Sequence, residues 1–151
     1  MESPFSLKSR PEPVPGDLRI IWGVSIVVLI LFHSRAKQAS FQKLHYFTYS
    51  VRTQKSRKRT ADLFDRNISS TEHIIRFEPW LNRAMGFAKA SNLLVFENGK
   101  RAKLTEEGII FANLILKDSN SLVSEIEFIK SVSKKVSENF VTGMLRRERL
   151  L

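Results

Sequence analysis

Residues 93–105 read Leu93-Leu94-Val95-Phe96-Glu97-Asn98-Gly99-Lys100-Arg101-Ala102-Lys103-Leu104-Thr105. Two short runs flank Asn98-Gly99, a dipeptide that bears positive φ at both central positions of a type I′ turn at least cost, so the stretch predicts a β-hairpin. A two-residue turn pairs Glu97 with Lys100, Val95 with Ala102 and Leu93 with Leu104 on an inward face. Phe96 with Arg101 and Leu94 with Lys103 then make a basic outward face, where aliphatic stems cover apolar side chains and the charges stay wet.

Beyond the hairpin, Thr105 predicts the N-cap of a helix from 106 to about 117. Glu106 and Glu107 stand at its positive end, and Ile110, Phe111, Leu114 and Ile115 face inward. After Asp118-Ser119-Asn120-Ser121, one long last helix is expected to run to about Arg147. Its apolar stripe is Leu122, Ile126, Ile129, Val132, Val136, Phe140 and Met144. The far half of so long a helix is expected to bury itself on another chain or a second copy.

Before the hairpin, Pro79 fits the first turn of a helix over 79–92, with Trp80, Leu81, Ala84, Phe87 and Ala88 inward and Asn82, Arg83 and Lys89 outward. A short strand over 74–77 and a short helix within 60–70 precede it. Ser40 predicts the cap of a helix over about 41–53, with Phe41, Leu44, Phe47 and Val51 inward and Gln42, Lys43 and Arg52 toward water. Asp17 predicts the cap of a central helix over about 18–34, apolar on every side and therefore buried. Its apolar run, Ile20–Phe32, is 13 residues long, against roughly 20 for a bilayer span. No membrane segment and no targeting segment are expected. Pro4, Pro11, Pro13 and Pro15 predict an extended arm, because proline fixes φ and lacks a backbone donor.

The succession of helices, hairpin and helix is that of a winged helix. The fold expected is mainly α, a winged helix with a two-stranded β-hairpin wing and a long C-terminal helix. An extended arm occupies 1–16, the winged-helix-like domain 17–117, and the C-terminal amphipathic helix and tail 118–151. The segment 79–92 takes the recognition position.

Charge points to partners rather than to fold. The net charge is +10, and residues 1–60 hold 11 basic and 3 acidic residues, whereas 61–151 hold 14 and 12. Residues 52–59, Arg-Thr-Gln-Lys-Ser-Arg-Lys-Arg, place five cations in eight positions. They read as a solvated helix end or an exposed basic loop. Cations at a helix C-terminus suit the dipole, but this density exceeds what an end needs. For a DNA backbone the candidate contacts are Arg52, Lys55, Arg57, Lys58 and Arg59, with Lys100 and Arg101 at the wing. An acidic protein surface suits the same run, and base reading falls to Asn82 or Arg83.

Chemistry beyond recognition finds few candidates. With no Cys, disulfides, thiolate metal sites and a Cys nucleophile are excluded, and a reducing cytoplasm is the expected location. His33, His45 and His73 lie on separate elements without partners at i+3 or i+4. The Gly99-Lys100 pair lacks the glycine and hydroxyl of a phosphate-binding loop, Leu94 and Arg101 standing in their places. No catalytic residue, metal or cofactor is predicted, so the chain reads as a non-enzyme.

Three stretches together carry a resemblance. They are Leu18-Arg19-Ile20-Ile21-Trp22 entering an aliphatic helix; Ala39-Ser40-Phe41-Gln42-Lys43-Leu44-His45 before an aromatic helix ending in Val51-Arg52; and Phe87-Ala88-Lys89-Ala90 leading to Leu104-Thr105-Glu106-Glu107-Gly108. Over roughly 17–117 the chain resembles the middle components of bacterial three-component ABC systems, the group to which Lamassu-type anti-phage defence belongs. The resemblance implies a non-enzymatic bridging subunit that joins an SMC-like, Rad50-like ATPase to an effector nuclease. ATP and catalytic metal would then belong to those other chains. The competing expectation is a stand-alone winged-helix DNA-binding transcriptional regulator.

Overall fold

The computed structural model describes residues 16–66, 77–118 and 120–150, with side chains over 19–66, 77–118 and 120–144. Among the described residues the protein is mainly helical, with one small antiparallel sheet. The helices are α1 (Gly16–Phe32), α2 (Phe41–Val51), α3 (Gln54–Asp65), α4 (Pro79–Ala90), α5 (Glu106–Lys117), α6 (Val123–Val132) and α7 (Glu138–Leu150). The strands are β1 (Gln38–Ser40), β2 (Leu94–Glu97) and β3 (Arg101–Leu104), in the order β1-β3-β2.

α1 is the axis of the core. Its run from Ile26 to Leu31 is fully buried, and α4, α5, α2, α6 and β3 all pack on it. This accounts for an apolar sequence with no polar side: every face meets protein. The helix begins at Gly16, so Asp17 stands inside its first turn instead of capping it. None of the helices among the described residues is long and apolar enough to cross a membrane. At the far end of α1 the Ser34 hydroxyl donates to the Ile30 carbonyl at 2.7 Å. Ala36 and Lys37 then turn the chain with φ of 56° and 53°, conformations that cost non-glycine residues of order 1 kcal/mol or more each.

Several local expectations stand. Ser40 caps α2 by accepting from the Lys43 N–H, Pro79 opens α4, and Thr105 caps α5 by accepting from the Gly108 N–H at 3.0 Å. The Thr105 hydroxyl also donates to the Asn92 carbonyl at 2.6 Å. Gly108 is required there, since a Cβ would overlap the Leu93 carbonyl oxygen. Asn98 and Gly99 have φ of 54° and 63°, and the Lys100 N–H donates to the Glu97 carbonyl, as a type I′ turn requires.

The hairpin register differs by one residue from the expectation. Glu97 pairs with Arg101, Phe96 with Ala102, Val95 with Lys103 and Leu94 with Leu104. Lys100 drops out of the ladder because its carbonyl accepts from the Phe41 N–H. A one-residue slip exchanges the faces of a strand. Leu94 and Phe96, larger together than Leu93 and Val95, therefore turn inward, and Val95 is 42% exposed. Nor is the hairpin two strands alone, since β1 pairs along the other edge of β3.

The C-terminal region departs further. In place of one long helix there are α6 and α7, separated by residues 133–137. The chain tightens where the Lys135 N–H and the Val136 N–H both donate to the Val132 carbonyl. Ser137 then starts α7 by accepting from the Phe140 N–H. The expected apolar stripe is buried, but within this chain: Phe140 lies 5.8 Å from Tyr46 and 5.1 Å from Phe64, between ring centroids. No second chain is needed to cover Val136 and Met144.

Three inward assignments are corrected as well. Phe87 is 58% exposed on α4, where Met85 is buried in its stead, and Ile110 and Leu114 are exposed on α5. α5 turns Ala112 to the core and packs Phe111 and Ile115 against it as expected, together with Ile109 and Leu116. Residues 1–15 and 67–76, which hold most of the expected arm, the end of the 60–70 helix and most of the 74–77 strand, lie outside the described residues. Phe77 is exposed and in no strand.

Candidate phosphate-contact sites

The basic run 52–59 starts at the C-cap of α2, Arg52, but from residue 54 it is the first half of a further helix, not a solvated end or a loop. Thr53 starts a new helix through a capping box: its hydroxyl accepts from the Ser56 N–H, while the Ser56 hydroxyl accepts from the Thr53 N–H, both at 3.0 Å. The cations therefore occupy the first half of α3, and Lys55, in its first turn, is disfavoured by the helix dipole by roughly 0.3–1 kcal/mol. Thr53-x-x-Ser56 was the legible signal for this start.

The run divides by role. Arg52 pairs with Glu78 at 2.9 Å. Arg57 is 18% exposed, donates to the Val51 carbonyl at 2.8 Å and lies 4.0 Å from the Glu125 carboxylate. It ties the start of α3 to the end of α2 and to α6. Lys55, Lys58 and Arg59 are exposed. Their i, i+3, i+4 spacing sets them side by side on one face, and among the described residues no carboxylate reaches ion-pair distance of any of them.

Lys100 and Arg101 are not brought to this face. The hairpin end meets the first residue of α2, whereas α3 starts just past its last. Eleven helical residues separate the two places by about 16 Å. Arg101 instead lines an open groove of ≈ 740 Å³ with Arg35, Lys43 and Lys134.

Lys43 was expected to reach water, yet it is only 5% exposed. Burial pushes its pKa down, opposed by the Glu138 carboxylate. That carboxylate already accepts from the Ser40 N–H at 3.1 Å and from the Ser40 hydroxyl at 3.3 Å. Glu138 and Asn139 begin α7 and also line the groove, and the first N–H groups of a helix have no acceptor within it. Arg101 stands opposite Glu97 in the ladder, but no ion pair joins them. Arg35, Lys43 and Lys134 had no common signal in the sequence. They meet because β1 pairs with β3 and because Glu138 holds the start of α7 against Ser40.

The outer face of α4 holds little that reads bases. The Asn82 amide oxygen accepts from His45 Nε2 at 3.2 Å, the Lys89 ammonium lies 4.9 Å from the centre of the Phe96 ring, and Arg83 remains beside Gly86 and the exposed Phe87. His45 Nδ1 accepts from the Glu78 N–H at 3.1 Å, which fixes the proton on Nε2. The Glu78 carboxylate in turn accepts from Arg52 and from Trp80 Nε1. Burial lowers the His45 pKa, against the Asn82 hydrogen bond and the Glu78 charge. This network joins α2, α4 and the start of the basic run.

No protein-family model, curated protein or solved structure matches this chain.

Proposed function

We propose that this protein is a winged-helix subunit that works by contact, holding a nucleic-acid backbone on the exposed cations of α3. The order α1-β1-α2-α4-β2-β3, with the sheet order β1-β3-β2, supports the winged-helix reading, with α3 as an added helix and α4 in the recognition position. The observation that carries the functional reading is the set Lys55, Lys58 and Arg59, three exposed cations side by side on one face of α3 with no carboxylate partner among the described residues. A structural role gives no reason for that arrangement, and a row of phosphates does.

The outer face of α4, with one free guanidinium among apolar and small residues, suits backbone contact better than base reading. In the setting implied by the resemblance, the chain is a non-enzymatic bridging subunit in the cytoplasm. Its protein partners are an SMC-like ATPase and an effector nuclease of a Lamassu-type defence complex. Ile110 and Leu114, one turn apart and exposed on α5, are suited to a protein contact.

Affinity purification of the tagged chain with its genomic neighbours, followed by mass spectrometry, tests the assembly. An ATPase and a nuclease in the purified complex support the proposal. Protection of a palindromic operator by the isolated chain at nanomolar concentration contradicts it and favours the stand-alone regulator.

A further inference from the structure

The groove at the start of α2 is distinct from the α3 face and has chemistry of its own. Four cationic side chains, Arg35, Lys43, Arg101 and Lys134, line it against one carboxylate, Glu138. One of the four, Lys43, is more than nine-tenths buried, and its ammonium has no hydrogen-bond acceptor among the described residues. Its stem is buried while the ammonium reaches the groove, and the nearby carboxylate, Glu138, is already committed to Ser40, which leaves the ammonium open to a further anion. The remaining lining includes Asn139, and at the start of α7 the Glu138 and Asn139 N–H groups have no acceptor among the described residues, whereas those of Phe140 and Val141 bond Ser137.

We propose that this groove is a phosphate-binding site, taking a phosphoryl group among the Lys43 ammonium, the Arg101 guanidinium and the first backbone N–H groups of α7. A phosphate supplies several acceptor oxygens and carries one negative charge as a diester or up to two as a monoester. It therefore meets a lysine, a planar guanidinium and a helix start at once, which a carboxylate does less completely. Arg35 and Lys134 at the lip add attraction without direct contact. Such a group can belong to a free phosphorylated small molecule or to a nucleic-acid backbone. The inference does not depend on the α3 reading, since the two places lie at opposite ends of α2.

The test is calorimetric titration of the full chain with pyrophosphate. Saturable one-to-one binding is expected, weakened about tenfold by Arg101→Gln, as for loss of one charge-assisted contact, and lost in Lys43→Met. Glu138→Gln keeps an acceptor for Ser40 and removes the competing charge, so it is expected to tighten binding roughly fivefold. The variant Lys55→Glu/Lys58→Glu/Arg59→Glu is expected to bind pyrophosphate like the wild type, which separates this site from the α3 face. If Lys43→Met fails to fold, the opposite signs of Arg101→Gln and Glu138→Gln carry the test alone. Displacement of pyrophosphate by a short DNA duplex assigns the phosphate to nucleic acid. Failure of the duplex to displace it assigns a free phosphorylated ligand. Absence of binding, or binding unchanged by both Arg101→Gln and Glu138→Gln, overturns the proposal.

Discussion

The two ends of α2 carry positive charge in opposite ways. At its C-terminal end, α3 spreads Lys55, Lys58 and Arg59 over an exposed helix face. At its N-terminal end, Arg35, Arg101 and Lys134 gather round a groove whose deepest cation, Lys43, is buried. The first arrangement matches an extended row of phosphates, each contact weak and screened by salt. The second matches a single compact anion, with fewer contacts in a drier setting. Local density of Lys and Arg does not distinguish them, because burial and backbone donors decide what a cation can hold.

The sharpest contrast lies inside the run 52–59 itself. Arg57→Ala removes a charge-assisted hydrogen bond to the Val51 carbonyl and is expected to cost about 2 kcal/mol of stability in urea unfolding. Lys58→Ala is expected to stay within about 0.5 kcal/mol of wild type. Equal costs for the two would erase the division between structural and free cations.

A second test uses acid. His45 must be neutral at Nδ1 to accept from the Glu78 N–H, and burial holds its pKa below the ordinary histidine value. The unfolded chain then binds the proton more readily, so this contribution is fully present above the ordinary value near 6.5 and is lost as pH falls through the lower folded one. The urea midpoint is expected to drop as pH falls below about 6.5, and His45→Gln is expected to remove that part of the drop. A pH profile identical in wild type and His45→Gln contradicts the assignment.

How legible this was in the sequence depends on distance along the chain. The caps Ser40 and Thr105, the start at Pro79 and the Asn98-Gly99 turn are decided by neighbouring residues, and all four are in place. The hairpin register depends on Phe41, far from it in sequence, which draws the Lys100 carbonyl out of the ladder. Both β2 faces carry apolar residues, so alternation alone could not choose between them. The break between α6 and α7 was hidden because the step from Val132 to Val136 keeps a helical spacing through a tight turn. Ser137 followed by Glu138 was the readable sign of a new helix start. In the run 52–59, charge density drew the reading toward a helix end or a loop and away from the Thr53–Ser56 capping box. The groove was not legible, since residues 35, 43, 101 and 134 meet only through sheet pairing and the Glu138–Ser40 contact.

A smaller effect follows from the dipole. Lys55→Glu puts an anion at the positive end of α3 and is expected to raise stability by about 0.5 kcal/mol at low salt while weakening DNA retention. Loss of both stability and binding would instead make Lys55 part of the scaffold.

The most direct test of a contact function on α3 is the salt dependence of duplex binding by the full chain and by the variant Lys55→Glu/Lys58→Glu/Arg59→Glu. Three phosphate contacts contribute about −2.7 to the log–log slope, so the variant's slope is expected to be shallower by at least that amount at nearly unchanged melting temperature. A slope that stays the same, or a loss of binding accompanied by unfolding, contradicts the account.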